Sequence, residues 1–88
     1  MEKRTTKPEY IQPLLGSLKE LGSATEDKLL NYAYHIVKGR LHPADHVILP
    51  NGEPRWRNQM QHMVDGLIES GYIVKIGRVL TLCENQRS

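Results

Sequence analysis

A single cysteine, Cys83, leaves this chain without an internal disulfide or a cysteine-based metal site. Long apolar runs are missing too. Stretches such as Val47-Ile48-Leu49 fall far short of the roughly 20 residues that a membrane-spanning helix needs. The early basic residues Lys3, Arg4 and Lys7 are followed by no apolar segment, so a secretory signal is not expected and a reducing, cytoplasmic setting is. Repeats, low-complexity tracts and dividing linkers are also lacking, and 88 residues suffice for one domain only. A chain of this size buries roughly 60–65% of the surface its unfolded form exposes. With 39% hydrophobic and 25% charged residues the composition is that of a globular protein, not a disordered one. A net charge of +2 permits an acidic partner without demanding one, so the placement of the charges decides.

Constellations that carry chemistry are scarce. His42 and His46 stand i, i+4, but Pro43 between them opposes a regular helix and no third ligand accompanies them. His35 and His62 fall on the solvent sides of their predicted helices, with no serine or cysteine in a nucleophile setting. Gly77 stands alone, not in a phosphate-binding glycine loop. Cys83, after the last predicted strand, reads as a small apolar residue rather than a reactive thiol. No enzyme activity, metal, cofactor or small-molecule substrate is therefore expected.

What the sequence does contain is helical periodicity, three times over. A first helix over 10–21 lines up Tyr10, Ile11, Leu14, Leu15, Leu18 and Leu21, with Pro13 tolerated in its first turn and Gly22 as its cap. Ser23-Ala24-Thr25-Glu26 reads as a capping box with Thr25 a competing N-cap. A second helix over 26–38 is predicted to bury Leu29, Leu30, Ala33, Ile36 and Val37. The segment 40–54 reads as a connector with a helical stub around 43–46, the run Val47-Ile48-Leu49 as a short strand, and the turn Pro50-Asn51-Gly52. The third helix, over 55–70, is the cleanest: Trp56, Met60, Met63, Val64, Leu67 and Ile68 fall within about 140° of its circumference. Two β-rich runs, 72–75 and 79–82, flank Ile76-Gly77-Arg78 and predict a hairpin. The order predicts a mainly α winged helix: a helix-turn-helix core with a C-terminal hairpin wing over 9–83, a flexible basic arm over 1–8 and a disordered tail over 84–88.

In such a domain the third helix enters the major groove near its N-terminus. Its first two turns present Arg55, Arg57, Asn58, Gln59, Gln61 and His62, the types that read base edges: arginine for guanine, asparagine or glutamine for adenine. None of these six is a carboxylate, and Asp65 and Glu69 are confined to the far end. The wing adds Lys75 and Arg78, with no acid between Tyr72 and Leu82; Arg40 and the N-terminal arm add further cations for phosphates. Double-stranded DNA is the expected partner, with a homodimer on two half-sites in view. The alternative is a winged-helix adaptor that binds protein and not DNA.

The segment Leu49-Pro50-Asn51-Gly52-Glu53-Pro54-Arg55-Trp56-Arg57-Asn58-Gln59-Met60, with the later Leu67-Ile68-Glu69-Ser70-Gly71-Tyr72-Ile73, resembles the N-terminal winged-helix domain of Mrr-type restriction proteins. Tyr10-Ile11-Gln12-Pro13-Leu14-Leu15 is similar to the start of that domain's first helix, and the likeness covers about 9–82. The resemblance implies DNA binding by the third helix and wing, in modified-DNA restriction or regulation. It leaves open a free-standing relative, a regulator, or a recognition piece that recruits a nuclease or regulatory subunit. Asn58 matches the family's asparagine; Gln59 stands where an arginine is usual and His62 where a tryptophan is usual. The family's nuclease half has no counterpart in this sequence.

Overall fold

Local rules account for most of the elements. Pro13 occupies the first turn of α1 (Ile11–Leu21), and its carbonyl accepts the hydroxyl of the buried Ser17 at 2.6 Å. Gly22 ends that helix at φ 80°, its N–H bonded to the carbonyl of Leu18 at 2.8 Å. Thr25 caps α2 (Glu26–Val37) by accepting the Lys28 N–H, with Glu26 and Asp27 in the first turn where the helix dipole favours them. A third helix, α3, spans Arg55–Glu69.

The computed structural model describes residues 5–83. Three strands, β1 (Ser23–Thr25), β2 (Ile73–Ile76) and β3 (Val79–Leu82), form an antiparallel sheet in the order β1-β3-β2. The helices and the sheet enclose one core, drawn from Tyr10, Leu14 and Leu18, from Leu29, Leu30, Ala33 and Val37, and from Trp56, Met60, Val64 and Leu67, closed by Ile73 and Leu80. This is the predicted winged helix. No helix among the described residues is long and apolar enough to cross a membrane.

Four particulars depart from the sequence expectations. First, β1 lies where only a cap was predicted: Ala24 pairs with Leu80 and is buried, while Thr25 both ends the strand and caps α2. Three residues are too short to show a period of two, so only the tertiary pairing reveals them. Second, Val47-Ile48-Leu49 joins no sheet. An isolated bridge from Ile48 to Pro54 closes a turn there, and Val47 and Ile48 are exposed. Third, Ile36 is 48% exposed. It lies about 70° from the centre of the stripe filled by Leu29, Leu30, Ala33 and Val37. Fourth, residues 5–8 are no loose arm, because Thr5 is tied to the core and Lys7–Tyr10 forms a 3-10 turn ahead of α1. Lys3 and Arg4, like the tail over 84–88, lie outside the described residues.

The tie at Thr5 centres on a fully buried carboxylate, Asp45, in the 3-10 turn Pro43–His46. Its oxygens accept three bonds of 2.8 Å: from the Thr5 N–H, the Thr5 hydroxyl and the His42 N–H. Burial pushes its pKa up, but the bonds from His42 and Thr5 outweigh burial and hold it below the usual carboxylate value. The neighbouring Tyr10 hydroxyl is buried with no well-formed hydrogen bond among the described residues; burial and the Asp45 charge outweigh the nearby Thr5 hydroxyl and push its pKa up to about 12.

Because Asp45 is more acidic folded than unfolded, it stabilises the fold above the unfolded carboxylate range. That stabilisation drains away as the pH drops through its lowered folded value. Asp45→Asn should cost about 2 kcal/mol at neutral pH in urea unfolding, with the gap to wild type narrowing at strongly acid pH. Tyr10→Phe, which deletes an unsatisfied buried hydroxyl, should change stability by less than about 1 kcal/mol in the same assay.

Candidate nucleic-acid interface

The roll of α3 is set by its apolar stripe. Trp56, Met60, Val64 and Leu67 are buried, and the Trp56 ring stacks on Tyr34 of α2 at 4.4 Å between centroids. The opposite pole therefore carries Asn58, His62, Asp65 and Glu69: His62, Asp65 and Glu69 are exposed and Asn58 is half-buried. Gln59 is also half-buried. Arg55 starts the helix with its backbone N–H bonded to the Val47 carbonyl at 2.9 Å, and its Nε is buried without a hydrogen-bond partner among the described residues.

Arg57 and Gln61 lie on the flank that faces the first turn of α2. The Arg57 guanidinium donates through Nη2 to Asp27 and lies 3.7 Å, Nε to Oε2, from Glu53. Gln61 Nε2 donates to Glu26 Oε1 at 3.3 Å. The first turns of α3 do lack carboxylates of their own, but the fold sets Glu26, Asp27 and Glu53 beside them. Glu53 was legible from its i, i+4 spacing to Arg57. Asp27 is 30 residues from Arg57 and Glu26 is 35 from Gln61, separations that no local pattern reports.

The wing follows from one glycine. Ile76 pairs with Val79, so the loop is the two residues Gly77-Arg78 rather than the predicted three. Gly77 has φ 63°, and among the described residues no non-glycine residue, Arg78 included, has a positive φ, which is the pattern of a type II′ turn. Lys75 and Arg78 are exposed on this hairpin and take part in no ion pair among the described residues. With Thr25, Glu26, Asp27, Gly77 and Leu80 they line a cleft of about 400 Å³ between the wing and α2. One continuous polar surface thus runs from Gln61 and Arg57 across the start of α2 to Arg78.

Arg40 is not part of it. That side chain lines a separate cleft of about 280 Å³ with Thr5, Pro8, Glu9 and Leu41. The named site residues therefore divide into three sets: Arg57, Gln61, Lys75 and Arg78 around the start of α2; Asn58, Gln59, His62 and Arg55 on the rest of α3; and Arg40 apart. Among the described residues no group of three or more histidines, cysteines or acids could hold a metal ion, and Cys83 is a free, half-buried thiol.

Gly77→Ala forces an L side chain into a positive-φ position, although among the described residues nothing beyond its chain neighbours lies within 4 Å of where its Cβ would stand. It should therefore destabilise the domain by about 1 kcal/mol through backbone strain alone, read as a shift of the urea midpoint with an unchanged slope.

No family model, curated protein or solved structure matches the chain.

Proposed function

We propose that this domain is a non-catalytic DNA-binding module, with α3 in the major groove and the β2–β3 hairpin as a wing on the backbone. The observation that carries the reading is the pair Lys75 and Arg78. Both are exposed on a hairpin without an acid, both lack a carboxylate partner among the described residues, and both border the surface that includes the first turns of α3. Lys75 and Arg78 would meet phosphates, while Asn58, Gln59 and His62, with Arg55 at the helix start, would face base edges. The resemblance to the N-terminal domain of Mrr-type restriction proteins supports the same assignment and suggests work alongside a nuclease or regulatory subunit. A footprint this small suits a homodimer on two half-sites.

A second reading, an adaptor that binds protein, is favoured by the exposed apolar side chains of the same hairpin: Val74, Val79 and above all Ile76, which is 70% exposed.

Two or three phosphate contacts give a salt slope of about −2 to −3, so duplex affinity should fall roughly 10- to 40-fold between 50 and 200 mM salt. Fluorescence anisotropy with a labelled mixed-sequence duplex measures this. Lys75→Ala with Arg78→Ala should flatten the slope by nearly 2. An affinity indifferent to salt, or a slope untouched by the double variant, would favour the adaptor.

A further inference from the structure

The contacts around Arg57 form a chain that begins in the turn before α3. The Asn51 side chain accepts the Glu53 N–H at 3.0 Å and donates to Glu53 Oε1 at 3.1 Å. That leaves Oε2 turned toward Arg57 Nε, while Asp27 takes Nη2 from the other helix. The Arg57 side chain is 20% exposed, that of Glu53 30% and that of Asp27 82%. The Asp27 arm of this clamp is the one open to water; an exposed pair of that kind is worth at most about 1 kcal/mol, and another anion arriving from that side can replace it.

On the basis of the DNA-binding reading, we propose that Asp27 and Glu53 occupy Arg57 in place of DNA phosphate, holding back non-specific affinity through an internal competitor at the edge of the recognition helix. While the clamp is closed Arg57 carries no counterion to release, and so adds nothing to the electrostatic drive for binding. A phosphate that draws Arg57 away must break both contacts and then lie near two freed carboxylates. The cost falls on every duplex alike. Sequences that gain base contacts along α3 can offset it, and sequences that offer the backbone alone cannot. Asn51 acts as a positioning residue, aiming Glu53, and Glu26 engages Gln61 in the same way one turn along α3.

The test is a cycle of variants in the full chain, read by anisotropy on a mixed-sequence duplex of about 20 base pairs at two salt concentrations. Asp27→Asn with Glu53→Gln should tighten binding about 5- to 10-fold and steepen the salt slope by about 0.9, one additional phosphate. In an Arg57→Gln background the same two changes should give no more than Asp65→Asn gives. Asp65 is an exposed acid on α3 with no ion pair among the described residues, and so reports the general field alone. Thermal melts verify folding. Asp27→Asn by itself, on an exposed side chain, serves if the double variant is unstable. An equal gain with and without Arg57, or no gain at all, overturns the clamp while leaving DNA binding intact. Failure of wild type and every variant to bind duplex overturns the DNA-binding reading and the clamp together.

Discussion

Burial of one stripe on α3 constrains the rest of the molecule. With Trp56 stacked on Tyr34 and Met60, Val64 and Leu67 sealed behind it, the helix cannot roll without exposing a large apolar area, at roughly 25 cal/mol for each Å². That fixed roll decides which polar residues face water and which face α2. His62 points outward and Arg57 sideways for the same reason. The candidate interface is thus a by-product of the core, set to the accuracy with which Trp56 packs.

A second anchor lies at the other end of the connector. The buried Asp45 carboxylate gathers the Thr5 and His42 donors and so binds the start of the chain to the turn that leads toward α3. A buried charge with three donors is strongly committed: removing it strands the donors, and protonating it weakens all three bonds. Behind α3, then, the support is rigid and polar. In front of it the Asp27 carboxylate that pairs with Arg57 is open to solvent.

Much of the architecture was legible. The stripes 29-30-33-37 and 56-60-64-67 gave two helices to within a residue at each end, Pro13 and Gly22 bracketed the first, and Gly77 marked the wing. What escaped were features without local periodicity. β1 is three residues long and exists only because Ala24 meets Leu80; residues 5–8 looked like a loose arm because nothing nearby hinted at Asp45. Ile36 shows the limit of the stripe itself, since a residue at its margin can be apolar and still exposed. At the interface, the residue types on α3 could be read from the helix alone. Their electrostatic environment could not, because Glu26 and Asp27 come from another helix. The polar front of Arg55 to His62 promised an acid-free surface, and the fold delivers one in which acids and bases are interleaved.

Whether α3 and the wing together meet a duplex is decided by residue-resolved NMR titration of the labelled protein with a short duplex. Shifts should concentrate at Asn58, His62, Lys75, Gly77 and Arg78 and fade as salt is raised. Shifts confined to the cleft around Arg40 and Leu41, or none at saturating duplex, would contradict that contact.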